Sequence, residues 1–522
     1  MNGMVHQRPA RHTAGVAALL ALTVAAAGCA PIPASAPKYV TDFRAGDAAE
    51  SASQQAGPTG PEWKAPQKDP LSWRDCSDQL ATRYGTPPAA NATLECANFT
   101  VRLGDSGTPM QLSVTRAELP GTPDTAAPLV LVGGTEFTGQ RALATLAAGE
   151  SPMLANRRVV AVERRGVGAS SPLNCRNTEQ RGVLRSGAEE PKQPFDERVK
   201  KVGEQAQAAA TACGDAYPGT IEEYTGAAAA DDLEALRTAW DVPALGLFAV
   251  GDGSTTALAY AAQHPKQVAR LVLDSPVRYA ASELQRAEDA AKGTSAAVDA
   301  FASQCGPACA LGADPAAAVR DIVDRSARGD LGPFTDTDVR RALIMTLGIG
   351  PGDRDARIAR LATALQGART GDAGPLRSLL RTADDALGSD GQFVARCSDA
   401  VQKASPDQVK ASAQKWGPQY RLGAATALAL TDCTGWPTME APPALEPLEV
   451  RSVVTTSAAD PLTSRDALET LTGKLTVAGA RPSTLSWGGI GDGAAIRSTC
   501  VQKALTTYLD RQEAPSARAC PA

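Results

Sequence analysis

From about Leu71 the chain alternates or clusters apolar residues at strand length, in LECANFTVRL and MQLSVTRAEL, with Gly and Pro between them. Shorter and almost wholly apolar runs follow: PLVLVGG, RRVVAVERRGVG and LGLFAVGDG, each leading into a glycine-rich turn. Runs of that kind predict strands buried on both faces of a parallel sheet. Helical patterns such as AAAADDLEALRTAW and STTALAYAAQHP lie between or after them, and ARLVLDSPV is the next strand, so strands alternate with helices as in a doubly wound α/β sheet. Between about Arg278 and Pro443 the character changes to Ala-, Arg- and Asp-rich amphipathic helices, including DPAAAVRDIVDRSARG and DTDVRRALIMTLG. Strand patterns resume in LEVRSVVTTSAADPLTS and RPSTLSWGG, and STCVQKALTTYLDRQ closes the chain as a helix. The patterning predicts an α/β core over 71–277 and 444–522, with a helical cap over 278–443 inserted before the last strands.

The N-terminal part differs. Arg8 and Arg11 precede the apolar run AGVAALLALTVAAA, which ends in Gly28-Cys29, so residues 1–29 read as an export signal. That run is too short to remain as a spanning helix. The small-small-Gly-Cys ending resembles the lipobox of bacterial lipoproteins and implies lipidation at Cys29, with a lipid anchor at the outer face of the membrane; plain cleavage and secretion is the alternative. Residues 30–70, rich in Pro, Ala, Ser and Gly, have too few large apolar side chains to offset their ordering entropy and are expected to be a flexible tether.

Composition is that of a globular protein, with 43% hydrophobic and 21% charged residues, and a net charge of −5 gives no electrostatic reason to expect nucleic acid. Besides Cys29 the chain has an even set of cysteines, which suits an oxidising compartment. Pairing neighbours in sequence joins Cys76 with Cys96, Cys175 with Cys213, Cys305 with Cys309, Cys397 with Cys433, and Cys500 with Cys520. No C-x-x-C pair occurs and the histidines are His6, His12 and His264, so no metal or cofactor is expected.

Several motifs converge in order and spacing: SWRDC with ECANFTV, VGGTEFTGQ, VERRGVGASSPLNC, EEYTGAAAADDLEALRTAWDV, ARCSDA, TDCTGWP, SAADPLTS and GGIGDGAAIRSTCVQKALTTYL. Together they make the chain, from about Trp73 to Cys520, resemble secreted α/β-hydrolases of the tripeptidyl aminopeptidase type with their characteristic C-terminal region. The resemblance implies an α/β-hydrolase fold and a triad of hydroxyl nucleophile, histidine and carboxylate.

Each triad position can be located. The family's Gly-x-Ser-x-Gly stretch aligns with Ala249-Val250-Gly251-Asp252-Gly253, which puts Gly251, without a side chain, at the nucleophile position. Its Gly-x-Gly-His-Gly stretch aligns with Gly489-Ile490-Gly491-Asp492-Gly493, which puts Asp492 where the histidine belongs. The triad acid corresponds to Asp460. His6 and His12 leave with the signal, and His264 stands at the far end of the helix after the elbow, ~15 Å from the turn at 1.5 Å per residue. Ser254 and Asp252 fit the crowded elbow worse than Gly251 and read as helix N-terminal residues. Gly133, Gly134 and Asp252 would form the oxyanion loop, with Glu136 adding an opposing charge.

Loss of serine or histidine in such a unit costs about 10⁶ in turnover, with a residual effect of roughly 10³ to 10⁴ over water. The expectation is a catalytically inactive homologue, a pseudoenzyme, on the cell surface. Its cleft, lined by Gly251, Asp252, Glu136, Asp460 and Asp492, would be acidic and suited to a cationic group such as a peptide N-terminus, on a peptide or protein partner. The alternative is an active secreted peptidase or esterase with an unorthodox site.

Overall fold

The computed structural model describes residues 60–522 apart from 90, 105–106, 307–308 and 446. The apolar runs become the middle of a 10-stranded sheet. Its strands are β1 (Arg74–Asp75), β2 (Thr93–Leu103), β3 (Thr108–Glu118), β4 (Leu129–Val132), β5 (Val159–Val162), β6 (Leu245–Val250), β7 (Val268–Asp274), β8 (Arg451–Ala459), β9 (Arg481–Ile490) and β10 (Ala519–Cys520). They lie in the order β1-β2-β3-β5-β4-β6-β7-β8-β9-β10. Neighbours are antiparallel from β1 to β5 and parallel from there to β10. Every residue of β4, β5, β6 and β7 is buried, as runs without alternation require of strands covered by helices on both faces. After β4 the chain moves to β5 on one side, and β6 lies on the other side of β4. The two connections therefore diverge at the carboxyl ends of β4 and β6, where a crevice opens. This is the α/β-hydrolase fold expected from the sequence.

The cap lies between β7 and β8, from the helix Glu283–Gln304 to the helical turn Ala429–Cys433. It has a second part that the sequence assigned to the core. The helices Thr178–Ser186 and Phe195–Ala216, between β5 and β6, pack against it. Val199, Val202 and Ala206 join Val409, Trp416 and Leu430 in one apolar cluster, and Arg198 binds Asp336 at 2.6 Å. An amphipathic helix buries its stripe against whichever apolar face is free, and here that face belongs to the cap. The helix Asp336–Leu343, read as amphipathic, is buried on nearly every side because it runs between the two parts.

The five disulfides join the cysteines as neighbours in sequence, with Cα separations of 4.8–5.8 Å. Cys175–Cys213 ties the second cap segment to itself, and Cys500–Cys520 ties the last helix to β10. The export signal, Cys29 and the expected tether up to residue 59 lie outside the described residues.

The tether expectation does not extend to residue 70. Trp63 lies between two guanidinium groups, 4.5 Å from Arg157 and 5.2 Å from Arg270 measured to its ring centroid. It covers Gly246 of β6, where a Cβ would overlap the indole ring. One aromatic ring supplies the burial that the rest of the segment lacks. Trp63→Ala is expected to lower stability in urea denaturation by about 1–3 kcal/mol; an unchanged midpoint and slope would show that the ring merely rests on the surface.

Candidate functional site

The parallel strands deliver the chemistry-bearing positions side by side at their carboxyl ends. Gly251 follows β6, Ser275 follows β7, Asp460 follows β8, and Asp492 stands two residues beyond β9. The register of β8 and β9 shifts at a bulge between Ser457 and Ala459, past which Ala459 stands opposite Ile490 and the Gly491 N–H donates to the Ala459 carbonyl at 2.9 Å. That pairing brings Asp460 and Asp492 together.

Gly251 turns the chain from β6 into the helix Gly253–Gln263 with φ +58°, a left-handed conformation that glycine adopts without strain. Its N–H donates to the Asp274 carbonyl at 2.9 Å. Two residues on, a Cβ at Gly253 would collide with the Val132 carbonyl oxygen, so this position has no room for a side chain. A Cβ at Gly251, by contrast, would lie 3.0 Å from Asp492 Oδ2. The absent side chain would therefore point at Asp492, as a nucleophile points at its base. Ser254 is fully buried, and its hydroxyl accepts the Val277 N–H at 3.3 Å. His264 packs on the Tyr260 ring at the far end of the helix, 5.0 Å between centroids.

Asp460 and Asp492 are 5% and 1% exposed, so neither is solvated. Asp460 Oδ1 accepts the Leu462 N–H at 2.9 Å, while Asp460 Oδ2 and both Asp492 carboxyl oxygens lack any donor among the described residues. Burial pushes Asp460 up to about 7. Asp492 is raised well above the usual carboxylate range by burial and then by the charges of Asp460 and Asp274. Two close carboxyls out of water cannot both ionise, so the pair retains a proton. A single π turn of the cap, Ile344–Gly348, closes over them, with its Gly348 carbonyl accepting the Asp492 N–H at 3.1 Å. Arg497 donates from Nε to the Asp492 backbone carbonyl at 2.9 Å rather than to the carboxylate.

The oxyanion loop is occupied from within. The donors of such a loop are the N–H of the residue after the nucleophile and an N–H beyond the neighbouring strand. Here the Asp252 carboxylate lies on that second segment. It accepts the Thr135 N–H at 2.9 Å, the Thr135 hydroxyl lies 2.7 Å from both Asp252 Oδ2 and Glu136 Oε2 and can donate to one of them, and a Cβ on Gly134 would overlap Asp252 Oδ1. Gly133 is held against Gly139 by backbone contact. Burial, then the charge of Glu136, pushes Asp252 up to about 6, with Arg164 opposing.

Above Gly251 and Asp252 the cap encloses a cavity of about 400 Å³. Its lining corrects the expectation of an acidic cleft. Glu136, Asp252 and Gly251 line it while Asp460 and Asp492 lie buried beneath, and the remaining lining is of mixed charge, with further carboxylates such as Glu283 and Asp385 matched by arginines. The strand-end acids sit too deep because the π turn covers them. Sequence reasoning also passed over Ser275, a cavity-lining residue at φ +52° whose hydroxyl accepts the Gly493 N–H at 3.1 Å and lies against Asp460. Its one signal was a non-glycine residue directly after a buried strand. Among the described residues no group of three or more His, Cys, Asp or Glu is placed to hold a metal ion.

The comparisons agree with this architecture. Residues 143–312 match the family described as alpha/beta hydrolase fold, and residues 418–520 match the one described as TAP-like protein. The protein is thus an α/β-hydrolase-fold chain that carries a TAP-like region at its C-terminal end. Among solved structures it is similar to a thermophilic esterase from Thermogutta terrifontis, with 13% identity, 79% of this chain and 97% of that one covered, and a TM-score of 0.37. It is also similar to the 2-hydroxy-6-oxo-6-phenylhexa-2,4-dienoate hydrolase of Rhodococcus sp. strain RHA1, with 13% identity, coverage of 80% and 100%, and a TM-score of 0.36. No curated protein matches the chain.

The raised carboxyls have a measurable consequence. Asp460 moves from 3.8 to about 7, so between those pH values the folded state holds a proton that the unfolded chain has released, and stability falls as pH rises through that window. Asp492→Asn removes one ionisable member while keeping its shape. In urea titrations it is expected to gain stability over the unaltered protein progressively from about pH 4 to pH 8. A difference that does not change with pH would show that the pair is not coupled.

Proposed function

We propose that this protein is a catalytically inert α/β-hydrolase homologue that binds a ligand in the cavity beneath its cap without cleaving it. The observation that carries the reading is the contact missing at the elbow: the left-handed turn is intact, but Gly251 has nothing to attack with, and the group it faces is a buried carboxyl. The Asp252 carboxylate on Thr135 supports it, since an anion already sits where transition-state charge would need donors. Export and lipidation at Cys29 would hold the molecule at the outer face of the cell membrane, and the disulfides suit that compartment. A peptide or small molecule is the ligand class the enclosed cavity fits, or a protein partner that inserts a segment into it.

A second reading rests on Ser275, which lines the cavity at a strained backbone angle beside a carboxyl raised to about 7. An active hydrolase using Ser275 as nucleophile and Asp460 as base would be a secreted peptidase or esterase with an unorthodox site. A fluorophosphonate probe separates the two. Under the inert reading the unaltered protein stays unlabelled; labelling lost in Ser275→Ala would overturn it.

Reconstruction tests the geometry directly. Gly251→Ser with Asp492→His restores nucleophile and base, but the oxyanion donors stay blocked by Asp252. Adding Asp252→Ala is expected to raise p-nitrophenyl acetate hydrolysis by about 10²-fold over the double variant, the effect of one oxyanion donor. A folded triple variant no faster than the unaltered protein would count against the assignment of Gly251 and Asp492.

A further inference from the structure

The arginines of the cavity are not equally engaged. Asp390 holds Arg176 and Arg181, Asp384 holds Arg185 and Arg341, and Asp432 holds Arg396. Arg286, in the first turn of the helix Glu283–Gln304, and Arg340, in the helix Asp336–Leu343, line the same space. Neither side chain makes a hydrogen bond or ion pair among the described residues, and Arg286 Nε and Nη2 and Arg340 Nε are buried without a partner. Asp432 and Glu136 act on Arg340 only from beyond ion-pair distance, against the like charges of Arg396 and Arg341. A buried donor left unmade costs about 1–3 kcal/mol, and more when it is charged. Two such guanidinium groups on separate helices, facing one cavity, are a poor use of a fold unless an acceptor comes to them.

We propose that Arg286 and Arg340 form an anion site that binds the carboxylate of an otherwise apolar small molecule. The remaining wall supports the apolar part: Leu184, Val277, Ile344, Leu387 and Leu430 line the cavity. Planar guanidinium groups match a carboxylate with paired hydrogen bonds. Glu136, Asp252, Glu283 and Asp385, none of them ion-paired among the described residues, also face the space, and their charge disfavours a dianion such as phosphate and leaves a monoanion as the fitting ligand. The inference rests on the reading that the cavity binds without cleaving, because a free carboxylate is what ester or amide hydrolysis leaves behind.

Calorimetric titration of the intact protein tests it with octanoate and N-acetyl-leucine, each set against its uncharged primary amide. Both acids, or the one whose stem suits the wall, are expected to bind at least tenfold more tightly than the amide. Arg286→Gln and Arg340→Gln should each lose that preference by tenfold or more, with thermal stability kept or raised, since a buried unpaired charge is removed. Arg465→Gln, at an exposed position, should change nothing. Acids and amides binding alike, neither acid binding at millimolar concentration, or folded arginine variants that keep the preference would each overturn the anion site. None of these outcomes bears on inertness, which probe labelling and ester turnover decide separately.

Discussion

The close passage of backbone over backbone at the ends of β4 and β6 governs this molecule. Gly133 lies against Gly139, and Gly253 lies under the Val132 carbonyl, with no space for a Cβ at either position. These contacts hold the turn at Gly251 in its left-handed form and set the helix after β6 at the mouth of the crevice. They also suit a glycine at the apex of the turn. The turn asks for a small residue with positive φ and for small neighbours, and a glycine at its apex satisfies the backbone more easily than a serine.

Electrostatics around the turn follow from the carboxyls that the strand ends gather there. A triad balances one carboxylate with an imidazole that can carry positive charge. With Asp492 in the second place, burial leaves two acids whose mutual repulsion is relieved by a proton. Asp252 adds a third carboxylate, held by the Thr135 N–H. The carboxyls at the strand ends are thus engaged with the fold itself: Asp460 and Asp492 lie buried beside the π turn, and Asp252 lies on the Thr135 segment.

The cap is joined to the core by a buried ion pair rather than by apolar contact alone. Arg164, just after β5, grips Asp399 of the cap with two hydrogen bonds, at 2.7 and 3.1 Å, while Arg165 grips Asp232 within the core likewise, at 2.7 and 2.9 Å. Such pairs add little net stability, since desolvation offsets the attraction, but loss of one partner strands a buried charge. The Arg164–Asp399 pair ties the cap to the core beside the cavity, whose lining includes Asp399. Carboxylates hold the other arginines that line the cavity, whereas the side chains of Arg286 and Arg340 have no such partner among the described residues.

The sequence by itself determined the succession of elements: unbroken apolar runs for the central parallel strands, amphipathic helices for the cap, disulfides between neighbouring cysteines, and Gly251, Asp460 and Asp492 at the ends of strands. Those features are local, because side-chain period and turn chemistry act over a few residues. The tertiary structure alone decided which charges meet. Arg176 reaches Asp390 across 214 positions, and Thr135 reaches Asp252 across 117. No periodicity encodes such separations. The same limit hid the second part of the cap, the docking of Trp63 and the depth of Asp460 and Asp492. The acids looked like a cleft lining because their strand ends converge, and they became a buried pair only because a turn from another segment packs on top of them.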